Sequence, residues 1–574
     1  MLETINHKVQ FCVIGGGLAG ICAAIAAARH GIRTLIMHER PVFGGNASSE
    51  IRMSISGATK LWPQHRETGI VEELDLENMY RNPDSCYSIW DSVLFEKVRF
   101  QENLVSLLNC SCLDAEVSEG RIRSVKGWQQ TTQTFHTVEA DYFADCSGDS
   151  ILAPLVGADF RVGREDKKEF GESLAQDKAD RQTMGMSCLI QMRETASPNT
   201  FIPPAWAYRY PDDDALPNRP HQIARLCNYW WLELGGDRDS IRDTEEVRDE
   251  LLKAAFGVWD HIKNCGDHHA DNWALDWVGF LPGKRESRRY MGDYILTQGD
   301  IESLRAFPDI VAYGGWPLDD HDPAGLNHPG HPNEFIYPKE PYGIPARCLY
   351  SRNIENLLFA GRNISTSHTG LSSTRVMATC ATLGEAVGVI AHYAVKEGLT
   401  PREACQRHIK AIQQTLMDDD CWLPGLTRAI SPLCREARLT ADCGDPEALR
   451  NGIDRTLDGT SNAWACGAGN YAEYDFGRPV DLRRVRLVFD SDFTRTAKNV
   501  LFNYPLHEPP RVTPATLIRG FHLEADGREI FRCTNNYQRL VKIPLTVKAS
   551  RLRLVIDEPR SALSKVFAFE AEQP

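Results

Sequence analysis

Apolar positions open the chain as a short run, Val9-Gln10-Phe11-Cys12-Val13-Ile14, which predicts a buried strand. Gly15-Gly16-Gly17-Leu18-Ala19-Gly20 follows, and the Ala-rich stretch from Ile21 to His30 predicts a helix stopped by Gly31. Arg33 to Met37 predicts a second strand, with Glu39 just beyond its end. Strand, G-x-G-x-x-G, helix, strand and acidic terminus together form a dinucleotide-binding unit. Gly15 permits the tight turn, Gly17 lets backbone N–H groups reach a pyrophosphate, and Gly20 lets helix and strand pack closely. The helix N-terminus, with the amides of Leu18 and Ala19, favours the phosphate charge. Glu39 is placed to accept hydrogen bonds from an adenosine ribose.

Further along, the pattern predicts a charged, solvated helix within Pro63 to Arg81 and an amphipathic helix from Asp91 to Asn103. A strand at Val105 to Cys110 leads into a β-meander, Arg121 to Val125 and Thr137 to Ala140, which closes on Tyr142-Phe143-Ala144-Asp145-Cys146-Ser147-Gly148-Asp149. From Gly163 to Tyr337 the pattern is irregular and rich in Trp, Pro and His. Strands are predicted at Met186 to Met192 and Leu226 to Leu234, and a helix at Thr244 to Lys263. Helices are predicted from Pro401 to Met417 and near Cys434. Short alternating strands then follow at 471–476, 485–489, 520–525, 551–556 and 565–570, the pattern of a β-sandwich.

At 574 residues the chain needs more than one core. Its composition, 42% hydrophobic and 25% charged, is that of a soluble globular protein, and no uninterrupted apolar run predicts a transmembrane segment. A net charge of −14 argues against a nucleic-acid partner. Seventeen cysteines without a CxxC pair suggest buried free thiols, and with the nucleotide strand starting so early the expected location is cytoplasmic. The loop from Ala312 to Pro332 holds three histidines and three aspartates, which reads as a metal site, a plain surface loop or a substrate loop. No fixed ligand spacing supports the first, and no metal site is assigned.

A Rossmann start, a β-meander and a strand ending in Ser147-Gly148-Asp149 resemble the FAD-dependent oxidoreductases of the glutathione-reductase-like superfamily. Three further stretches resemble a large bacterial family within it. They are Arg285-Glu286-Ser287-Arg288-Arg289 with Gly292-Asp293-Tyr294-Ile295-Leu296-Thr297, Tyr342 to Leu349, and Asn356 to Ser365 with Thr374 to Met377. The resemblance implies a fold class of α/β: a Rossmann-type FAD-binding domain with an inserted α+β substrate domain, plus a C-terminal all-β jelly-roll sandwich. The implied boundaries are 1–162 and 338–400 for the FAD domain, 163–337 for the substrate domain, 401–445 for a helical connector and 446–574 for the sandwich. The sandwich resembles discoidin-type, galactose-binding-like modules, which implies carbohydrate as one partner and a structural appendage as the alternative.

FAD is the implied cofactor. Its implied contacts are Gly15, Gly17, Leu18, Ala19, Gly20, Glu39, Arg40, Gly45, Asn46, Ala47 and Ser48 from the first segment. Cys112, Cys146, Ser147, Gly148 and Asp149 follow from the meander, then Gly361 and Arg362, then Ser373, Thr374, Arg375 and Val376. The last four begin a helix expected from about Thr374 to Lys396, whose N-terminus faces the flavin in this architecture, while Ser372 and Ser373 also suit N-caps. The expected reaction is hydride removal from a small polar substrate such as a sugar, polyol or hydroxy compound. His368 is the first candidate for the base and His321 the second, each with a purely structural alternative. A second reading is reduction of an activated C=C bond, centred on Arg288 or Arg289. A third is a carbohydrate-binding protein on a flavin-fold scaffold. No second G-x-G-x-x-G marks a nicotinamide site, which leaves a quinone, an electron-transfer protein or oxygen as electron acceptor.

Overall fold

The computed structural model describes residues 2–224, 227–495, 500–562 and 564–573. They pack as two units: Met1–Ala58, Asp84–Ile412 and Lys498–Pro510 in the first, and Thr59–Pro83, Gln413–Ala497 and Arg511–Pro574 in the second.

The first unit is built on β1 (Glu3–Ile14), α1 (Leu18–Arg29), β2 (Thr34–Met37), β3 (Leu104–Leu107), β4 (Cys110–Ser118), β5 (Arg121–Gln129), β6 (Thr134–Asp145), β7 (Leu357–Phe359), α2 (His368–Thr374) and α3 (Met377–Glu397). Five of the strands run parallel in the order β3-β2-β1-β6-β7, with Ile14 opposite both Met37 and Asp145, and Phe359 opposite Asp145. The first half of β6 also pairs antiparallel with β5, and β5 with β4, which makes the meander. The ends of β1, β2, β6 and β7 therefore lie side by side, and in such sheets ligands bind beyond those carboxyl ends.

The Ala- and Gly-rich sequences of α1 and α3 are explained by how closely they approach. A Cβ on Gly384 would lie 2.0 Å from the Ala19 carbonyl oxygen, and one on Gly388 2.5 Å from that of Ala23. At 21 residues and a mean hydropathy of 1.2, α3 is long and apolar enough to cross a membrane, but 83% of that window is buried inside the unit. Its apolar surface is thus accounted for by packing.

The inserted region holds short strands at Met186–Ser187, Ile190–Glu194 and Trp273–Val278, and the helix Thr244–Asn264. Met192, Tyr229, Trp231, Trp259 and Ile262 form its core. Of the strand expected from Leu226 to Leu234, only Glu233–Leu234 is extended in a sheet. Leu226 itself lies outside the described residues. Tyr229, at φ +52°, turns the chain, and Asn503 Nδ2 donates to the carbonyls of Ala224 and Cys227. Asn503 belongs to a segment expected within the sandwich, yet it packs in the first unit, where Asn503 Oδ1 also accepts from the Met192 amide at 3.0 Å.

The second unit is an all-antiparallel β-sandwich. Its long strands Tyr471–Phe489 and Leu540–Pro559 pair with each other, and Ile518–Ala525 and Lys565–Glu572 pair beside them. Register shifts near 475–480 and 482–484 divide the first long strand, so the alternation there read as two separate strands. Trp464, Tyr474, Leu487, Phe521, Leu554 and Phe569 are fully buried between its faces.

The helix Ile70–Arg81 is a correction. Its charges predicted a solvated face, yet Glu72, Asp75 and Glu77 are all buried. Each is paired: Glu72 with Arg66 (3.0 Å) and Arg495 (2.7 Å), Asp75 with the same two arginines at 2.6 and 3.0 Å, and Glu77 with Arg81 (2.6 Å). Arg66 and Arg495 hold the Glu72 carboxyl down at about 2 although burial alone would raise it.

Candidate functional site

The cradle begins where β1 ends. Gly15 has φ +102°, and a Cβ there would lie 2.4 Å from the Cys146 carbonyl oxygen, so only glycine fits this turn. A Cβ on Gly20 would lie 1.9 Å from the Gly15 oxygen, which sets how closely α1 meets β1. Gly17 differs, because its nearest neighbour would be the Gly45 Cα at 4.0 Å. It faces open space beside the first turn of α1. No side chain among the described residues caps that turn, which leaves the amides of Leu18, Ala19 and Gly20 facing out of the helix end.

The neighbouring strand ends surround this point. Glu39, with 44% of its side chain exposed, lies 3.2 Å from His38 Nδ1 and 3.5 Å from Arg40 Nε. Gly45 sits at φ +57°. Asn46 Nδ2 donates to the Lys284 carbonyl at 3.1 Å, the Ala47 carbonyl accepts from Trp90 Nε1 at 2.9 Å, and Ser48 Oγ donates to the Gly45 carbonyl at 2.7 Å. At the end of β6, Asp145 accepts from Ser147 N (2.9 Å) and Oγ (2.6 Å), which shapes the turn carrying Cys146 and Gly148. Asp149 is gripped by Lys284 (2.7 Å), Arg362 (2.8 Å) and Ser287 (2.8 Å). Burial would raise its carboxyl, but Arg362 and Lys284 bring it down to about 2. Gly361, at φ +114°, places its Cα turn beside Ala19, whose Cβ is 3.6 Å from where a Cβ would stand. Cys112 lies on β4 opposite Gly127, and burial pushes its thiol up to about 12, so it stays a neutral thiol.

A polar ligand fits here. Arg362 Nε, Asn363 Oδ1, Thr374 Oγ1 and Arg375 Nε are buried without a hydrogen-bond partner among the described residues. Such atoms are costly in a folded interior unless something supplies the missing bonds.

The helix after Arg362 departs from expectation. It is two helices: α2, capped by Ser367 Oγ accepting from the Gly370 amide at 3.0 Å, and α3, starting at Met377 after an extended Val376. Ser372 and Ser373 are therefore interior residues of α2 and not N-caps. Ser372 Oγ donates to the Thr369 carbonyl at 2.6 Å, and Ser373 Oγ to the Trp316 carbonyl at 2.6 Å. Hydroxyls satisfied by carbonyls in this way compete with a continuous helix. Arg375 Nη2 is anchored on Asp319, 3.1 Å from its carbonyl and 3.3 Å from its carboxylate.

Both candidate histidines are tied at both ring nitrogens. His368 Nδ1 lies 2.9 Å from Glu286 Oε2 and Nε2 lies 3.0 Å from Asp320. Burial alone would lower its pKa, but Glu286 and Asp320 raise it to about 10. It is an imidazolium at neutral pH, and its ring alone has no free nitrogen with which to act as a base. His321 is held likewise, 2.6 Å from Glu233 and 3.3 Å from Asp319, and its pKa is also raised against burial. Arg289 is 1% exposed, and its guanidinium binds Glu165 (2.9 Å), Glu286 (3.3 Å), the Thr366 carbonyl (2.8 Å) and the Gly163 carbonyl. That arrangement suits a frame better than a proton donor. Arg288 lies over the Phe160 ring and donates to the Asp149 carbonyl at 3.2 Å. Glu286, Asp319 and Asp320 stand within stretches the sequence picks out, the Arg285–Arg289 run and the Ala312–Pro332 loop, but not as partners of these histidines, and Glu233, inside the predicted strand from Leu226 to Leu234, carries no signal of its own.

A family model described as FAD dependent oxidoreductase matches residues 10–416. No curated protein matches the chain. Among solved structures, p-nitrophenol 4-monooxygenase PnpA from Pseudomonas putida DLL-E4 is 11% identical with a TM-score of 0.32, covering 76% of this chain and 92% of its own. Glycerol-3-phosphate dehydrogenase from Bacillus halodurans, complexed with FAD, is 16% identical with a TM-score of 0.21, over 33% of this chain and 40% of that one. The family 32 carbohydrate-binding module of Streptococcus pneumoniae EndoD is 13% identical with a TM-score of 0.20, covering 25% of this chain and all of its own. These likenesses are too slight to add to the family match.

Proposed function

The chain belongs to the FAD dependent oxidoreductase family, and on that footing we propose that it removes a hydride from a small polar substrate, namely a sugar, polyol or related hydroxy compound. FAD, when bound, supplies the hydride acceptor. Gly17, the first turn of α1 and Glu39 bind its adenosine and pyrophosphate parts, and Asp149, Arg362 and the residues from Ser373 to Val376 serve the remainder. The electron acceptor would be a quinone, an electron-transfer protein or oxygen.

When a hydroxy compound loses a hydride from carbon, a proton must also leave its oxygen. The chain Asp320–His368–Glu286 contains two carboxylates and one imidazolium, and His368 holds the Asp320 carboxyl below its ordinary range although burial alone would raise it, so Asp320 is ionised and open to that proton. Asp320 is the outer member, its side chain 14% exposed against 4% for His368 and none for Glu286. We therefore assign the Asp320 carboxylate as the atom group that takes the proton, with His368 holding and polarising it. His321, Glu233 and Asp319 form a second such set beside it and orient the loop.

The observation that carries this reading is the carboxylate at each nitrogen of His368. Anaerobic mixing of FAD-loaded protein with polyols, glycosides, hydroxy acids and amines tests it. Bleaching of the flavin by one hydroxy-bearing class is the expected result. Bleaching by amines alone, or by none of the panel, overturns the substrate class.

A further inference from the structure

Four side chains in the inserted region converge with no role in the site above. Asp213 opens a short turn at Asp213–Ala215, His221 follows eight residues later, His261 sits in the last turn of the helix Thr244–Asn264, and His268 lies in the loop beyond. One ligand atom from each lies within 4.8 Å of all the others. The Nε2 atoms of His221, His261 and His268 are 3.4, 3.2 and 3.5 Å from a single oxygen, Asp213 Oδ1. A tetrahedron with metal–ligand bonds of about 2.0–2.1 Å has edges of about 3.3 Å, which matches all three distances. The three rings also surround one point evenly, with centroids 4.9, 5.0 and 4.7 Å apart.

The far nitrogens fix which way the lone pairs point. His261 Nδ1 donates to the Tyr210 carbonyl at 2.9 Å and His221 Nδ1 to the Arg219 carbonyl at 2.6 Å. Each ring thereby turns its Nε2 inward, the orientation of metal-bound histidines. Nε2 of His261 and of His268 is buried and makes no hydrogen bond among the described residues. Three inward Nε2 atoms converge on one carboxylate oxygen, leaving four ligand atoms arranged around a point where a cation would satisfy them together.

We propose that Asp213, His221, His261 and His268 bind one zinc ion. Three imidazoles and a carboxylate are a donor set suited to zinc, and four protein ligands close the tetrahedron, which makes the site structural. The ion would tie the end of the helix Thr244–Asn264 to the segments carrying Asp213 and His221. A pocket of about 640 Å³, lined by Pro211, Asp213, Gln222, Cys265, His268 and Trp273, gives the ion a route in from solvent.

The test uses the full chain, loaded with excess zinc chloride, desalted and assayed by mass spectrometry, with zinc K-edge absorption on the same sample. About one zinc per chain with a nitrogen/oxygen shell near 2.0 Å and no sulfur is expected. Asp213→Ala alters an exposed side chain and should weaken zinc at least about tenfold in a chelator competition, with unchanged circular dichroism and flavin content. His261→Gln should abolish stoichiometric binding. Retention of less than about a tenth of an equivalent by the wild type, a sulfur ligand such as Cys265, or equal affinity in Asp213→Ala and the wild type would each overturn the proposal.

Discussion

Two sets of histidines in the first unit meet carboxylates in opposite proportions. His368 and His321 each have two carboxylates, one per ring nitrogen. His221, His261 and His268 share a single one, Asp213. With carboxylates in excess, burial loses to charge and the ring is held protonated. With rings in excess, one carboxylate oxygen cannot pair with all three, and Nε2 of His261 and of His268 makes no hydrogen bond among the described residues. Residue type is the same in both places, and the ratio of partners decides whether histidine holds a proton or offers a ligand.

Removing the excess carboxylate's partner should have the largest effect. His368→Gln leaves Glu286 and Asp320 facing each other without the intervening positive charge, and reduction of the flavin by substrate should slow by about 100- to 10,000-fold. Stopped-flow reduction of FAD-loaded variant and wild type reads this directly, with flavin content as the control. An unchanged rate would remove His368 from the chemistry.

A charge set with balanced partners shows what pairing alone contributes. In the second unit, Arg495 lies between Glu72 and Asp75, and Arg495→Met leaves both buried carboxylates to Arg66. The loss should therefore be smaller than the about 3–5 kcal/mol of a buried charge left with no partner. Chemical denaturation followed at Trp464 in the sandwich core should show a lower midpoint, with flavin content intact. No shift would mean that Arg66 suffices for the two acids.

The next effect concerns pH. His368 has its folded pKa raised to about 10, above the value of about 6.5 for a free histidine. Its contribution to stability is therefore fully present below about pH 6.5 and disappears as pH rises through 10. Thermal melts of the wild type should fall across that window, and those of His368→Gln should fall less, a difference on the order of a few kcal/mol at most. A variant that follows the wild-type curve would show that the ring is not charged. The smallest effect is expected at His269, whose ring is 88% exposed and pairs with Asp267. His269→Ala should change neither zinc content nor flavin reduction, and a loss of zinc would redraw the ligand set.

The strand–turn–helix frame of the proposed flavin site was legible in sequence because its determinants are local. Gly15, Gly17 and Gly20 stand within six residues, and the strands around them follow directly from apolar runs. The break between α2 and α3 was not, because it depends on Ser373 Oγ reaching Trp316 and Arg375 reaching Asp319. Burial of the helix Ile70–Arg81 was hidden for the same reason, since Glu72 finds Arg495 more than four hundred residues away. The histidine cluster shows the limit most clearly. Its members come from two loops and a helix with no repeating interval, so spacing rules built for compact motifs pass over it, whereas the denser loop from Ala312 to Pro332 attracted them.

The proposed FAD site lies at the ends of β1, β2, β6 and β7, and Gly17 tests that placement most directly. A methyl group there meets nothing closer than 4.0 Å in the protein itself, so Gly17→Ala should fold normally while its Cβ fills space meant for the pyrophosphate. Flavin released per chain, measured after loading with FAD and desalting, should be about one for the wild type, with affinity at least about tenfold weaker in the variant. A wild type that retains no flavin, or a variant that binds it equally well, would contradict the placement of the cofactor.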